Sequence, residues 1–563
     1  MALAKGKAAE KTRPTWRVDG WLIGSLIIAG MILTPLFAVA WMALFPTENI
    51  WPHLLATVLP DYVTNTLILM TMTGVGAACL GAGGAWLTTM KQFPGRRFFD
   101  WALLAPLAIP AYIGAYALVD LLEYAGPVQT TLRDLFGWRN SRDYWFPEIR
   151  SIWSAGLVMT LSLYPYVYLL SRAAFREGSV GALEVSRALG CGPWESFYRV
   201  ALPLARPSIA VGTAIVMMET LNEFGAVDFF AVRTMTVGVF TTWLESSNVG
   251  GAAQISCVMM MFVLALLGLE RAGRRGRRYH NLSRAYRPIQ RERLTGASAA
   301  IATVACALPL LIGFLLPVSV IAYHAMKFLE GWLDPEFWSA LLRTIALGVS
   351  AAGIAVIAGV FLAFGARRAK SPAPRMIAQA TMIGYAAPGA VLAVGVLIPF
   401  AALDRAIHYT SLDLFGVGTG LLITGSAAAI IFAYVVRFNA IAFGAVDGAF
   451  GRVTPSMDAA ARSLGETAGG ALRRVHLPLI SGSMVTAAML IFVDAVKELP
   501  ATLILRPFNF STLSTHVYDY ASREHLAQAA PAALAIIVVG LAPVAILIRS
   551  LNSRSNQHDS YVS

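Results

Sequence analysis

Glu184-Val-Ser-Arg-Ala-Leu-Gly190 leads to Val200-Ala-Leu-Pro203, and the same arrangement returns in the second half of the chain. There it reads Ala459-Ala-Ala-Arg-Ser-Leu-Gly465 and ends on Val475-His-Leu-Pro478. The two glycines are 275 positions apart, and so are the two prolines. A segment repeated at a fixed distance predicts two halves of the same architecture, because each copy takes the same place in its own half.

The composition indicates a membrane protein. Of 563 residues, 57% are hydrophobic and only 13% are charged, whereas soluble domains carry about 25% charged residues. Apolar runs of about 20 residues, long enough to cross a bilayer, recur along the chain. They predict an all-α polytopic fold with about twelve membrane spans, six in each half. The predicted spans are 21–45, 63–90, 98–122, 152–174, 205–230, 252–270, 299–326, 340–365, 375–401, 417–440, 480–505 and 528–550.

The charge pattern predicts the domain organisation and the orientation. We expect a basic N-terminal tail at 1–20, a first repeat at 21–270, a basic linker at 271–298, a second repeat at 299–550 and a C-terminal tail at 551–563. The tails, the linker and both repeated loops fall on one face, which the positive-inside rule assigns to the cytoplasm. The net charge of +12 then reflects topology and contact with anionic lipid, and it requires no nucleic acid.

The repeated loops have a simple physical interpretation. A short helix lies at the membrane surface, the glycine permits the turn that ends it, and the Leu-Pro begins the next span, since proline is tolerated in a first helical turn. An alternative is a pair of interfacial helices without a partner. The candidate loop residues are Glu184, Arg187, Gly190, Leu202, Pro203, Asp458, Ala459, Arg462, Gly465, Leu477 and Pro478.

The loops resemble the cytoplasmic EAA loop of ABC importer permeases, in which Glu-Ala-Ala precedes a glycine and an Ile-x-Leu-Pro. The resemblance implies that each loop helix fits a socket on an ATPase subunit. The second loop departs from the pattern, because Ala459 stands where the family has glutamate and Asp458 lies one residue earlier. This difference leaves the acidic contact of the second loop open.

Four acidic residues inside predicted spans form the candidate translocation path: Glu219, Glu223, Asp494 and Glu498. Glu219 and Asp494 are 275 positions apart, as are Glu223 and Glu498. A spacing of four predicts that each pair shares one helix face, and the adjacent Lys497 is a candidate counter-charge. Carboxylates in a bilayer either line a pathway or brace helix against helix, and the pattern does not separate these roles.

Tyr112, Tyr116, Asp120 and Asp228 are weaker pathway candidates, for which interfacial aromatics are the alternative interpretation. For the outer segments 123–150 and 506–527 the alternatives are an aromatic belt at the membrane edge and a docking surface for a soluble substrate-binding protein. Two further matches, Asn65-Thr66 with Arg343-Thr344 and Ile109-Pro110 with Ala387-Pro388, are 278 positions apart. Together these repeats predict parallel halves around an axis along the membrane normal.

The sequence contains none of the usual motifs for chemistry. It has no G-x-x-x-x-G-K-[ST] phosphate loop, no H-E-x-x-H zinc motif and no G-x-S-x-G nucleophile elbow. Its four cysteines are scattered without a C-x-x-C pair, which favours small apolar packing residues. We therefore predict no catalytic residues and no bound cofactor, and any ATP hydrolysis must come from separate chains.

Longer stretches are similar to fused ferric-iron importer permeases. These are Leu202-Pro-Leu-Ala-Arg-Pro-Ser-Ile209, Met218-Glu-Thr-Leu-Asn-Glu-Phe-Gly-Ala226 and Thr234-Met-Thr-Val-Gly-Val-Phe240 in the first half, and Lys497-Glu-Leu-Pro-Ala-Thr-Leu503, Leu505-Arg-Pro-Phe508 and Tyr518-Asp-Tyr-Ala521 in the second.

This resemblance implies an inner-membrane permease that works by alternating access. Its partners would be two ATPase subunits, which use ATP and Mg²⁺, and a periplasmic or lipid-anchored binding protein. Glu223 and Glu498 are the candidates for a transient iron contact, since iron(III) suits hard oxygen ligands, but these carboxylates would suit a thiamine cation as well. Related fused permeases carry thiamine or aminoethylphosphonate, which remain alternatives. An ion-gradient-driven secondary transporter, whose carboxylates would bind protons, is the alternative from another class.

Overall fold

A computed structural model describes residues 20–178, 185–186, 189–274, 291–369, 372–451 and 453–559. These residues are almost entirely helical. In the first half the α-helices are Gly20–Leu44, Trp51–Ala56, Leu59–Met90, Arg96–Ala102, Ala111–Leu122, Pro127–Phe136, Ile152–Gly178, Pro193–Ser196, Leu202–Asn222, Gly225–Phe229, Met235–Phe240 and Val249–Arg274. A 3₁₀ turn at Ala105–Ala108 and π-helical turns at Phe197–Ala201 and Thr241–Glu245 complete this half.

The second half repeats the pattern. Its α-helices are Gly296–Leu310, Leu316–Lys327, Pro335–Arg368, Ala373–Ala380, Ile383–Ala386, Gly389–Phe415, Ala427–Phe450, Pro455–Ser463, Ala468–Ala471, Leu477–Lys497, Pro500–Leu505, Leu513–Ala521 and Leu526–Asp559. The π-helical turns are Leu311–Leu315 and Leu472–His476, and Leu329–Trp332 is a 3₁₀ turn.

Ten helices in the described part of the chain are long and apolar enough to cross a membrane. The polytopic all-α fold is thereby confirmed. Two predicted spans differ from a simple crossing helix. The predicted span 98–122 corresponds to two helical segments, Arg96–Ala108 and Ala111–Phe136, bent by 91°. The predicted span 528–550 lies in a helix whose described apolar part, Leu526–Ala542, is shorter than a full crossing.

In each half a helix is interrupted just before an equivalent proline, Pro110 in the first half and Pro388 in the second. The segment before Pro110 is extended at Ile109 (φ −101°, ψ 118°), and the segment before Pro388 is extended at Ala387 (φ −74°, ψ 128°). Proline disfavours the helical conformation of the residue before it and donates no hydrogen bond, so the helix stops there. The prediction of one continuous span over 375–401 was therefore wrong, and the long helix is Gly389–Phe415.

The prediction of a span at 417–440 was shifted by about ten residues. The turn before the helix Ala427–Phe450 folds around Asp404, whose carboxylate accepts the backbone N–H groups of Leu422, Ile423 and Thr424 at 3.2, 2.9 and 2.9 Å. A buried acid satisfied by several backbone donors stabilises an irregular segment. Residues 416–426 therefore form a non-helical connection held by Asp404, although their apolar composition resembles that of a membrane span.

The first helix of each half packs against the other half. Trp21 of the helix Gly20–Leu44 contacts Phe361 and Phe364 with ring centroids 4.7 and 4.9 Å apart. Further along, a Cβ at Gly395 would lie 2.3 Å from the Pro35 carbonyl oxygen, so this glycine permits the two backbones to touch. In return, Gly313 lies against Leu161, whose carbonyl oxygen would be 3.0 Å from an added Cβ. The halves are thus interlocked.

A two-residue parallel strand pair joins the end of the linker to the first half. Lys91–Gln92 pairs with Glu292–Arg293, and the Lys91 ammonium forms an ion pair of 2.6 Å with Glu292. This pair fixes where the chain enters the second half.

Candidate functional site

Both halves interrupt a long helix at a glutamate. The helix Leu202–Asn222 ends at Glu223 (ψ 132°), and the helix Leu477–Lys497 ends at Glu498 (ψ 114°). Each carboxylate turns forward to accept a backbone N–H of the next short helix, from Ala226 at 2.9 Å and from Ala501 at 3.1 Å. A side-chain oxygen in this position satisfies a donor that a helix start leaves free.

These breaks correct two predictions. The spans expected at 205–230 and 480–505 end at Asn222 and Lys497, and neither acid pair lies on one continuous helix. Glu219 and Asp494 are inside their helices, whereas Glu223 and Glu498 are the first residues beyond them. The reason is local hydrogen bonding, because these two carboxylates cap the following turns.

The four acids nevertheless meet. Glu219, Glu223, Asp494 and Glu498 all line a cavity of about 140 Å³ between the halves. Residues from both breaks, both acid-bearing helices and the helices Ile152–Gly178 and Ala427–Phe450 complete its wall. The cavity lining includes Leu107, Ile109, Pro110, Tyr112, Ser162, Tyr166, Asn222, Tyr385, Arg437, Phe438, Lys497, Leu499 and Pro500.

Two basic side chains line this cavity, and both belong to the second half. Arg437, only 7% exposed, forms an ion pair of 3.1 Å with Glu498. The Lys497 ammonium donates to the Leu107 carbonyl oxygen of the first half at 2.8 Å. Sequence reasoning missed Arg437, although an arginine in an apolar run is itself a signal for a buried polar site.

Asn222 makes the reciprocal contact from the first half to the second. Its side-chain oxygen accepts the Gly389 N–H at 2.6 Å and lies 3.3 Å from Arg437 Nη1. Because Asn222 and Lys497 are 275 positions apart, equivalent residues hold each half against the proline break of the other. The cavity is therefore bounded by contacts that follow the repeat.

Of the weaker pathway candidates, only Tyr112 lines the cavity. Tyr116 is fully buried and packs edge-on against Phe229 with a centroid distance of 4.5 Å. Asp120 pairs with His324 at 2.9 Å, and Asp228 accepts a hydrogen bond of 2.8 Å from Tyr518. These last two contacts connect the halves and do not belong to the cavity wall.

Among the described residues, no group of three or more His, Cys, Asp or Glu side chains is placed to hold a metal ion. Glu223 and Glu498 are both in the cavity wall, but one is engaged by a backbone N–H and the other also by Arg437. The cavity wall thus carries carboxylate oxygens, but the described residues do not arrange them as a metal-binding site.

The described residues at the end of each repeated loop have a similar backbone in both halves. Gly190 and Gly465 have φ of +85° and +83°, a region that favours glycine. The residue after each glycine donates back into the loop helix, Cys191 to Ser186 at 3.1 Å and Glu466 to Ala461 at 3.0 Å. The expected glycine-ended helix is present in the second loop as Pro455–Ser463.

The loops expose apolar side chains. Leu189 and Leu464, one residue before each glycine, are 78% and 83% exposed, and Ala459 and Arg462 are exposed as well. Glu184 and Arg187 lie outside the described residues, as does the Asp458 side chain. Exposed leucines on a short surface helix suit a protein interface.

The Leu-Pro pairs occur where expected, with one addition. The α-helices begin at Leu202 and Leu477, with Pro203 and Pro478 in the first turn, but a π-helical turn precedes each one. Since proline has no N–H to donate, a wider turn at this point accommodates it. The helices therefore continue from the loop into the span.

Residues 77–276 match the model of the family described as binding-protein-dependent transport system inner membrane component. The Fe(3+)-transport system permease protein FbpB 2 of Haemophilus influenzae is 26% identical over 492 residues, which are 86% of this chain and 89% of the relative. The ferric transport system permease protein FbpB of Actinobacillus pleuropneumoniae is 21% identical over 86% of this chain and 72% of its own length.

The molybdenum transport system permease protein ModB of Escherichia coli is 28% identical over 211 residues, 34% of this chain and 86% of ModB. A relative of half the length that aligns with only part of the chain fits a protein in which two repeats are fused.

Two interlocked helical halves around a polar cavity define the chain as a multi-pass membrane permease. Residues 77–276 are similar to the binding-protein-dependent transport inner membrane components, and most of the chain is similar to ferric transport permeases of comparable length. These similarities and the ten apolar helices support an inner-membrane permease subunit of an ABC importer, and permeases of this kind work with a partner ATPase and a partner binding protein.

Proposed function

We propose that this permease imports ferric iron through the cavity between its halves. The observation that carries this proposal is the charge of the cavity wall. Four carboxylates face two cations, Arg437 and Lys497, which leaves a formal excess of two negative charges. A cavity lined by excess carboxylate attracts a cation, and carboxylate oxygens are ligands that suit hard metal ions. Relatives named for ferric transport align with most of the chain.

The charge argues against anionic cargo. Aminoethylphosphonate, molybdate and sulfate each carry negative oxygen atoms, which the excess carboxylates would repel. Thiamine is a second candidate because it is a cation and because Tyr112, Tyr166, Tyr385 and Phe438 line the cavity with aromatic rings. Aromatic faces bind organic cations. Iron and thiamine are therefore the two cargoes to separate by experiment.

We also propose the roles of the loops. Two ATPase subunits, one on each loop, bind ATP and Mg²⁺ and close together, and the loop helices around Gly190 and Gly465 transmit that motion to the spans. Alternating access follows as the halves rock about the cavity. The loops, the linker and both termini then lie in the cytoplasm beside anionic lipid, and the chain itself holds no cofactor. The opposite face receives the binding protein.

The test uses the complete assembly, purified through a tag on the permease and reconstituted in lipid vesicles. Mass spectrometry of the intact complex should give two ATPase subunits per permease. With ATP, the vesicles should accumulate ⁵⁵Fe and neither radiolabelled thiamine nor aminoethylphosphonate. Accumulation of thiamine in place of iron would overturn the cargo, and gradient-driven uptake without ATP would overturn the importer mechanism in favour of a secondary transporter.

A further inference from the structure

Lys497 places a positive charge where the first half has a neutral residue. It is equivalent to Asn222, and each residue directly precedes the glutamate at the helix break. Both side chains reach across to the other half, Asn222 to the Gly389 N–H and Lys497 to the Leu107 carbonyl. An asparagine is therefore sufficient for a bridging contact at this position, and the ammonium needs a further explanation.

The other cation of the cavity is fixed in place. Arg437 is buried, with its guanidinium 3.1 Å from Glu498 and 3.3 Å from the Asn222 oxygen. A planar guanidinium held by two acceptors has little freedom to move. Arg437 thus neutralises Glu498 in this structure, and it leaves Glu219, Glu223 and Asp494 as the remaining carboxylates of the wall.

Lys497 is held much less firmly. It is half-buried, and its ammonium donates to a neutral carbonyl oxygen. Asp494 lies three residues earlier on the same helix, and Glu219 lines the same cavity from the other half. Lysine carries its charge on a flexible four-carbon stem, so the ammonium can move between the carbonyl and these acids without a change of backbone.

An independent feature indicates that the cavity receives a ligand. The Tyr112 hydroxyl has no hydrogen-bond partner in the described structure, although the residue is only 3% exposed and lines the same cavity. A buried hydroxyl without a partner is costly. A cation that enters the cavity would meet oxygen ligands from both halves.

We propose that Lys497 is a tethered counter-ion, which competes with the cargo for Glu219 and Asp494 and so sets how highly charged a cation must be to occupy the cavity. The inference deepens the proposed function and rests on its claim that the cargo is a cation. In the empty cavity the ammonium balances the two acids. A trivalent ion gains more from the carboxylates than an ammonium does, whereas weakly charged ions gain less. Lys497 thereby excludes weakly charged cations from the cavity, because they cannot displace its ammonium from the carboxylates.

The test measures binding of Mn²⁺ to the full-length permease in lipid nanodiscs, from the loss of the free-ion signal in electron paramagnetic resonance. Lys497→Asn, which copies the first half, should tighten Mn²⁺ binding on the order of tenfold, because it removes a unit charge close to two acids. Lys497→Arg should bind Mn²⁺ as weakly as the wild type. Arg405→Asn is the matched control, since it removes an exposed positive charge outside the cavity wall.

Unchanged Mn²⁺ affinity in Lys497→Asn would overturn the proposal. If that variant fails to fold, Asn222→Lys provides the opposite test: a second tethered ammonium should weaken Mn²⁺ binding, and tighter binding would overturn the proposal. The result is separable from the cargo assignment. Failure of ⁵⁵Fe uptake by the wild-type assembly would refute iron transport alone, whereas the Mn²⁺ titration reports on Lys497 without any transport.

Discussion

The two halves of this permease place the same acids in the same positions and surround them with different neighbours. Glu219 and Glu223 in the first half correspond to Asp494 and Glu498 in the second, and both glutamates cap the next short helix. Around them, however, Ser162 and Asn222 of the first half correspond to Arg437 and Lys497. The two halves thus share the glutamate-capped helix break and the acidic residues, whereas the basic residues that face them belong to the second half alone.

The comparison teaches which features belong to the fold and which to the cargo. The proline breaks, the glutamate caps and the left-handed glycines occur twice, because each half needs them to build its helices. Arg437 and Lys497 occur once, so the architecture of a half does not require them. Residues that break the internal symmetry are accordingly the best candidates for functional specialisation.

The largest expected effect on transport comes from substitutions in the repeated loops, which both halves share. Gly190→Arg and Gly465→Arg should each abolish ATP-driven uptake, because each places a bulky charged side chain, at a backbone angle that favours glycine, on the proposed ATPase surface. Both glycines face open space, so the chain should still fold and insert. Uptake and co-purification of the ATPase measure the outcome.

Gly137→Arg and Gly416→Arg are matched controls. These glycines also have positive φ (+71° and +68°) and open surroundings, but they lie in turns that we assign to the opposite face. Equal loss of uptake in the controls would mean that backbone strain, and not the ATPase contact, explains the phenotype.

A smaller effect should separate the two capping glutamates. Glu498→Gln should lower the free energy of unfolding by about 3–5 kcal/mol, because it leaves the Arg437 charge buried without its partner. Glu223→Gln should cost about 1 kcal/mol, since its amide oxygen can still accept the Ala226 N–H. Thermal unfolding of the solubilised chain provides the comparison, and equal losses would show that the halves do not differ in their ion pairing.

Arg437→Met supplies the control for that pair. Combined with Glu498→Gln it should recover much of the lost stability, since no buried charge is then left unpaired. A double variant as unstable as the sum of the single changes would argue against coupling between the two residues.

The two loops predict a third difference. In the first loop the buried hydroxyls of Ser186 and Ser196 form a hydrogen bond of 2.8 Å, whereas the equivalent residues of the second loop are the buried alanines Ala461 and Ala471. Ser186→Ala alone should destabilise by about 1–2 kcal/mol, because it leaves the Ser196 hydroxyl unpaired. The double change to alanine should be nearly neutral, as it copies the second loop. Thermal unfolding distinguishes these outcomes, and a double variant that is less stable than the single variant would refute the explanation.

The smallest expected effect is a pH dependence of stability that arises from His516, which is buried in the helix Leu513–Ala521. Burial lowers the pKa of His516 more than the nearby carboxylates of Glu336, Asp334 and Asp519 raise it. The folded state therefore binds fewer protons than the unfolded state just below the usual histidine pKa of about 6.5. Stability should fall as the pH drops through that region. His516→Gln should weaken this dependence, and an unchanged pH profile of the melting temperature would contradict it.

The sequence predicted the elements that repetition makes visible. The repeated loop sequences and the four paired acids follow from spacing, and the apolar composition predicted the polytopic helical fold, in which ten helices of the described chain are long enough to cross a membrane. The break at Glu223 and Glu498 did not, because the acidic residues were read as part of a regular helix and the capping of a later turn depends on its folded geometry. The division into tails, repeats and linker remains a prediction, since residues 1–19, 275–290 and 560–563 lie outside the described part of the chain.

Long-range partners were the other feature that spacing could not supply. Arg437 and Glu498 are 61 residues apart, and Lys497 meets Leu107 across 390 positions. A repeat indicates which residues are equivalent, but it does not indicate which residues meet across the axis between the halves. Charged residues in apolar runs were the available signal, and it was used for the acids and not for Arg437.

The account depends most on the claim that a cation passes between Glu219 and Asp494, one acid from each half. The decisive measurement is ATP-driven ⁵⁵Fe uptake by vesicles that contain the complete assembly with the double change Glu219→Gln and Asp494→Asn. A second assembly with Glu330→Gln and Asp413→Asn, which neutralises two exposed acids elsewhere, serves as the control. We predict that uptake is lost in the first assembly and retained in the second, with the ATPase bound in both. Normal iron uptake by the first assembly would contradict the account.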